Sequence, residues 1–270
     1  MEKHILSKST FIRGAQCLKS LYLYKKRYFL RDRLSDEQRL KFKRGFNVGI
    51  FAQQFYPGGI DVRPGAPSAY RKSVERTTKL IKEGRNIIYE AGFQHNRVLI
   101  FLDVLINENN SWKAVEVKSS KSISPTYLLD AALQYYVIKG SGLQLDDFCI
   151  VHIDAQYTLE KKLEIKKLFK EVSVVEEIEK MQDEVESMIQ KEKEVLNYKH
   201  SPKIEIGPHC YKPYPCEFIG HCWKNVPHPS VFNIHGLSFE EKYDLYENKI
   251  TSPAEAKEKL SDNEMVLNSC

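Results

Sequence analysis

Cysteine, tryptophan and long apolar runs are all scarce in this chain. Among 270 residues there are six cysteines and two tryptophans. No apolar stretch approaches the roughly 18 to 20 residues of a membrane span, and "MEKHILSKSTFIRGAQ" lacks the apolar centre of a signal peptide, so a cytoplasmic protein without membrane attachment is expected. In a reducing compartment so few thiols do not make a disulfide framework, and a local cluster of them points to a metal or to catalysis. There is no internal repeat and no low-complexity tract, which excludes a solenoid or a fibrous chain. With 42% apolar residues, one full core plus a sizeable appendage is affordable, and two large independent domains are not expected.

Acidic residues are also thin locally. Between Lys19 and Arg44 run Lys25, Lys26, Arg27, Arg31, Arg33, Arg39, Lys41 and Lys43, against Asp32, Asp36 and Glu37. That imbalance suits a polyanion, the plain alternative being a solvated helical face.

Residues 8 to 56 read as largely helical, with Ser7 or Ser9 as caps, ending at "PGG" (57 to 59). Another polar helix covers 69 to 83. The period then changes. "NIIYEAGF", "RVLIFLDVLI" and "WKAVEVKSS" are β-branched and aromatic runs joined by turn-like "QHN" and "NENNS", which predicts an antiparallel meander. Ser124 and Pro125 fit the N-cap and N1 of a helix reaching about Lys139, and "FCIVHID" follows as a buried strand. One long amphipathic helix is expected over roughly 166 to 197, then the cysteine segment and a short helical tail.

Residues two apart on a strand share a face, so Glu116 and Lys118 of "AVEVKSS" point the same way. One strand earlier, Asp103 interrupts the apolar run "LIFLDVLI", where a carboxylate must be paired, metal-bound or exposed at the sheet's end. If the strands pair through "NENNS", Asp103 and Glu116 converge and need a cation between them. Mg or Mn fits such oxygen ligands, and the Val117 carbonyl could complete the shell. Lys118 would orient or help deprotonate an attacking water, and the matching chemistry is metal-assisted phosphodiester hydrolysis. Read alone, Glu-x-Lys is far more often an ordinary surface ion pair, and the aspartate on the preceding strand is what shifts the balance.

Asp103 followed by "EVK" at 116 to 118, in this strand context, resembles the PD-(D/E)XK nuclease superfamily. Gln134 and Tyr135 in "DAALQYYVIKG" look like the glutamine-tyrosine motif of its RecB-like branch, and Glu90 in "IYEAGF" stands where relatives often carry a glutamate. Cys17 before the core and Cys210, Cys216 and Cys222 after it are similar to AddB-type and CRISPR-associated iron-sulfur exonucleases. The resemblance implies an α/β (α+β), restriction-endonuclease-like core: a mixed sheet with an antiparallel meander flanked by helices, plus a helical iron-sulfur segment. It implies an N-terminal arm over 1 to 68, a nuclease core over 69 to 165, a long helix and cluster segment over 166 to 225, and a short helical tail over 226 to 270. The implied activity is a Mg- or Mn-dependent deoxyribonuclease, an exonuclease by expectation, acting on DNA that is single-stranded or has free ends. Gln134 would position the helix or substrate, Glu90 would support the metal site, and Lys25, Lys26, Arg27 and Tyr135 would meet nucleic acid. Two departures stand out: "RGFNVGIFAQ" offers no histidine where the branch usually has a metal ligand, and the branch's glutamine-tyrosine spacing is longer.

Within "GPHCYKPYPCEFIGHCW" five residues separate each consecutive pair of cysteines, wider than the usual spacing of zinc ligands. A 4Fe-4S cluster tolerates wider spacing, and the family-like position makes Cys17 its fourth ligand. Cys149, inside "FCIVHID", reads as core. A catalytically weak iron-sulfur DNA-binding module and a structural protein with a zinc knot remain alternatives. A protein partner supplying a further domain is also expected, since relatives often continue past this tail. The sequence does not give oligomeric state.

Overall fold

The computed structural model describes residues 3–33, 48–109, 111–160 and 162–259. In chain order its main elements are β1 (Leu6–Ser7), α1 (Lys8–Gln16), α2 (Leu18–Lys26), β2 (Ile60–Asp61), α3 (Tyr70–Lys82), β3 (Ile87–His95), β4 (Val98–Glu108), β5 (Ser111–Lys118), α4 (Pro125–Gly140), β6 (Asp147–Ile153), β7 (Phe169–Ser173), α5 (Val175–Lys180), α6 (Gln182–Val195) and α7 (Phe239–Glu247). They divide into two compact units: residues 1–15 with 34–199, and residues 16–33 with 200–270. This division interleaves the chain, whereas the four-part reading above follows it end to end.

The first unit is a mixed seven-stranded sheet in the order β2-β3-β4-β5-β6-β7, with β1 paired to β4 off that path. β3, β4 and β5 form the expected antiparallel meander. The β3–β4 hairpin turns through Asn96 (φ 45°) and Arg97 (φ 57°), the two left-handed positions of a type I′ turn, whose twist matches that of the strands. After β5 the chain crosses through α4 and returns as β6, parallel to β5, the connection a parallel pair needs. Ser124 caps α4 with its side chain accepting from the Tyr127 backbone N–H at 3.3 Å, and Pro125 occupies the first helical turn, as the sequence indicates. Ala131, Ala132, Leu133, Val137 and Ile138 of α4 are buried, and the helix packs on β3, β4 and β6. A second apolar layer gathers Tyr89, Val104, Ile106, Val115, Cys149 and Val151 from the sheet with Val48 and Phe169.

The single helix expected over 166 to 197 is not there. "FKEVS" is β7, antiparallel to β6, and two separate helices follow, α5 and α6. The open edge of β6 supplies a ladder that a β-branched stretch fills, with Val172 opposite Ile150, and tertiary pairing overrides the helical spacing of the apolar residues. The N-terminal segment is also less continuous than expected. Cys17 is extended (φ −164°, ψ 114°) and breaks α1 from α2, and Tyr28–Leu30 is a turn of 3-10 helix. Arg39, Lys41, Lys43 and Arg44 lie outside the described residues, as does Cys270.

The second unit is built around aromatic side chains. Trp223 packs on Phe232 with ring centroids 4.6 Å apart, and Phe232 on Tyr243 at 5.1 Å. α7, the helical tail read from the sequence, carries Tyr243 into that cluster. It starts with a capping box in which Ser238 and Glu241 serve each other's backbone N–H groups. Among the described residues no helix is long and apolar enough to cross a membrane.

Candidate active site

The ladder between β4 and β5 runs from Glu108↔Ser111 to Val104↔Val115. The next level would pair Asp103 with Glu116, and there the Asp103 side chain takes over: its Oδ2 accepts the Val117 backbone N–H at 2.7 Å. On the other side of β4, the ladder with β3 pairs Tyr89 with Val104 and Ala91 with Leu102. Between those rungs Glu90 has φ 53°, a left-handed conformation that costs a non-glycine residue free energy. Asp103 thus sits where the sheet opens on both sides.

Glu116 is buried at 2% exposure and fully engaged. Its Oε1 accepts from Lys118 Nζ at 2.7 Å and from Lys8 Nζ at 2.7 Å, and its Oε2 accepts from Gln134 Nε2 at 2.9 Å. Lys118 also donates to Asp130 Oδ2, to which Lys8 stands at 3.9 Å. The Lys118 ammonium lies 5.0 Å from the centroid of the Tyr127 ring. The fold brings Asp103, Glu116, Lys118 and Gln134 together, and with them Lys8 and Asp130, which the sequence did not single out. Asp130 was findable, because it lies one helical turn before Gln134 on the same face. Lys8 carried no signal, being 108 residues from Glu116.

Electrostatically this is a crowded pocket of charge. Burial and the neighbouring Glu116 push the Asp103 carboxyl up to about 7. Burial opposes ionisation of Glu116 too, but the Lys118 and Lys8 ammonium groups overcome it and hold that carboxyl well below the usual range. Burial works against the charge of Lys8 and Lys118, and the facing carboxylates outweigh it, raising both. Asp130 Oδ1 and Gln134 Oε1 are buried with no hydrogen-bond partner among the described residues.

Glu90 faces the same region but is held by Arg63, 2.6 Å away. Burial raises its carboxyl and Arg63 opposes the rise. Tyr135, expected to meet nucleic acid, is 3% exposed and donates its hydroxyl to Glu179 at 2.6 Å. It packs α4 against α5 and is closed to a ligand, so that expectation is corrected.

In the second unit Cys17, Cys210, Cys216 and Cys222 line one small cavity of about 20 Å³, with Ile204, Ile206 and Phe218 also in its wall. Gln16 Nε2 ties the segments by donating to the carbonyls of His209 and Tyr214, each at 2.7 Å. Cys216 Sγ lies 3.4 Å from Ser20 Oγ, and the Cys216 backbone N–H donates to the Cys210 carbonyl at 2.8 Å. Burial pushes the Cys222 thiol up to about 11. All four are free thiols. Cys149 stands apart on β6, buried and donating to Asp147. Lys25, Lys26 and Arg27 are exposed at the end of α2, followed by exposed Tyr28 and Phe29, whereas Tyr22 is buried.

Among the described residues, no three His, Cys, Asp or Glu side chains stand arranged to hold a metal ion as the side chains now lie. No protein-family model matches the chain, and no curated protein sequence matches it. Solved structures similar to it include an alkaline exonuclease, LHK-Exo from Laribacter hongkongensis, at 12% identity and TM-score 0.41, over 72% of this chain and 90% of that one. The same enzyme in complex with dAMP gives 12% and 0.40 over the same shares, and SSO0001 gives 12% and 0.31 over 70% and 78%. Likeness at this level leaves the assignment to the side-chain geometry.

Proposed function

We propose that this chain is a Mg- or Mn-dependent DNA nuclease, an exonuclease in expectation, with a structural 4Fe-4S cluster in its second unit. The observation that supports it most is the opening of the sheet at Asp103, with Glu116 and Lys118 on one strand face and Gln134 anchoring Glu116 from α4. A merely structural ion pair does not explain three acidic and two basic side chains converging at a sheet opening.

The donor chemistry suits a hard divalent ion, since Asp103, Glu116 and the unpartnered Asp130 Oδ1 are all oxygen donors. On this reading Asp103, Glu116 and the Val117 carbonyl would hold the ion. In an extended strand the N–H and C=O of one residue project to the same side, so the Val117 carbonyl points where its N–H meets Asp103. When bound, the ion supplies charge stabilisation at the phosphoryl oxygens and a more acidic water. Gln134 fixes the Glu116 carboxylate in place. Lys118, an ammonium donating to Glu116 and Asp130, orients the attacking water and offsets charge developing on the phosphorane, a role for a donor and not for a base. Arg63 holds Glu90 at the rim.

Four thiols on one cavity are the full ligand complement of a cubane cluster, and the apolar wall suits it. The cluster would join residue 17 to residues 210–222 as a staple, comparable to a long-loop crosslink. Lys25, Lys26 and Arg27 would track phosphates.

The test is cleavage of end-labelled single- and double-stranded DNA by anaerobically purified protein with Mg or Mn. Cleavage that is lost in Asp103→Ala and without the ion is expected. Equal cleavage by Asp103→Ala would end the reading, and DNA binding with no cleavage under any condition would favour the binding module.

A further inference from the structure

Two ammonium groups compete for the same pair of oxygens in the active site. Lys8 Nζ and Lys118 Nζ each lie 2.7 Å from Glu116 Oε1, and both face Asp130 Oδ2. We propose that Lys8 is a built-in competitor of the catalytic divalent ion: it neutralises Glu116 and Asp130 in the metal-free protein and leaves Glu116 when the ion binds. This rests on the metal-dependent reading above.

Charge bookkeeping makes the case. Asp103, Glu116 and Asp130 contribute three negative charges when ionised, while Glu90 is matched by Arg63. Lys8 and Lys118 contribute two positive charges. Adding a divalent ion with both lysines in place overfills the site, whereas adding it with Lys8 gone balances three against three. In a poorly solvated site an uncompensated charge is costly, so the balanced arrangement is favoured.

Geometry selects which lysine leaves. The Lys118 side chain is 14% exposed, on β5, and lies against Tyr127; that of Lys8 is 29% exposed, at the first residue of α1, on a flexible four-carbon stem. Lys8 can swing its ammonium into water without moving a strand. Glu116 Oε1 has no lone pair left for an ion while it takes two ammonium groups, and Oε2 is turned toward the Gln134 amide.

The experiment is Mn²⁺ titration calorimetry on the full chain without DNA, comparing wild type, Lys8→Met, Lys8→Arg and Asp103→Asn. Lys8→Met should bind Mn²⁺ about tenfold more tightly or better, the size expected for removing a competing charge. Lys8→Arg should stay near wild type. Should Lys8→Met fold poorly, reductive methylation of the wild type reads the same exchange by mass spectrometry: Lys8 should be protected without the ion and become reactive with it. If wild type binds Mn²⁺ and Lys8→Met binds no more tightly, or Lys8 reactivity ignores the ion, this proposal is overturned while the nuclease reading stands. If neither wild type nor Lys8→Met binds Mn²⁺, the metal-dependent reading falls and takes this proposal with it.

Discussion

Asp103 Oδ2 accepts the backbone N–H of Val117, so a side chain of β4 performs the task that the main chain of β4 performs one level away, at Val104 and Val115. The substitution opens the sheet without leaving the Val117 donor unpaired. It also fixes the spacing between a carboxylate and the strand that carries Glu116 and Lys118.

Lys118 is the residue whose loss should separate binding from chemistry. Lys118→Ala is expected to lower kcat by about 10² to 10⁴ at saturating Mn²⁺ while DNA affinity changes little, because its ammonium is held by Glu116 and Asp130. Single-turnover rates at saturating DNA measure it. A variant cutting at the wild-type rate removes Lys118 from the mechanism.

Gln134 should be a stability residue as well as a positioning one. Gln134→Leu strips Glu116 Oε2 of its donor inside the protein and is expected to cost about 1–3 kcal/mol in urea unfolding. It should also weaken Mn²⁺ binding. An unchanged midpoint together with unchanged Mn²⁺ affinity would contradict this role.

Asp103 and the Glu-x-Lys pair were legible because a charged residue in an apolar strand and a two-residue period are strong local signals. Gln134 and Glu90 were reached through resemblance, and Asp130 through neither, although helical spacing offered it. Lys8 was invisible: nothing short-range connects the start of α1 to β5. The same limit explains β7. "LFKEVSV" carries helical spacing, and the open edge of β6, known only once the sheet exists, decides its conformation. Tyr135 failed for the opposite reason, since an aromatic next to a motif glutamine is read as a contact when it is core.

Glu192 on α6 gives a pH prediction away from the active site. It is 1% exposed, both carboxyl oxygens lack a partner among the described residues, and burial pushes its pKa up to about 9. The folded state therefore binds this proton more tightly than the unfolded chain. Its contribution is complete below the unfolded value near 4.3 and drains away as pH rises toward 9. Melting temperatures from pH 5 to 9 should fall less for Glu192→Gln than for wild type. A Cβ at Gly14 would lie 2.3 Å from the Glu192 carboxyl, so Gly14→Ala should destabilise, and Glu192→Ala should relieve part of that loss in the double variant.

The four cavity cysteines should behave as one set. Cys17→Ser is expected to lose most iron and the absorbance near ~400 nm after anaerobic purification, whereas Cys149→Ser keeps both and pays only a core cost of about 1–3 kcal/mol. Full iron content in Cys17→Ser would remove it from the ligand set. Zinc with no iron would point to the zinc knot.

The run from Lys25 to Phe29 is exposed throughout, with Phe29 at 76% and Tyr28 at 51%. If it tracks a single strand, replacing Lys25, Lys26 and Arg27 by alanine should flatten the dependence of DNA affinity on salt. Phe29→Ala should weaken single-strand binding by about 1–3 kcal/mol with no change in melting temperature. An unaltered salt slope in the triple variant would locate the phosphate contacts elsewhere.

The second unit takes one of its two segments, 16–33, from near the start of the chain and the other from residue 200 onward. During synthesis the Cys17 segment must therefore wait, unpartnered, while the residues of the sheet are made, and the last cavity thiol arrives only with residue 222. Any cluster insertion must follow the synthesis of residue 222. A nascent protein stalled before that point would carry every candidate catalytic side chain and an unfinished cysteine cradle.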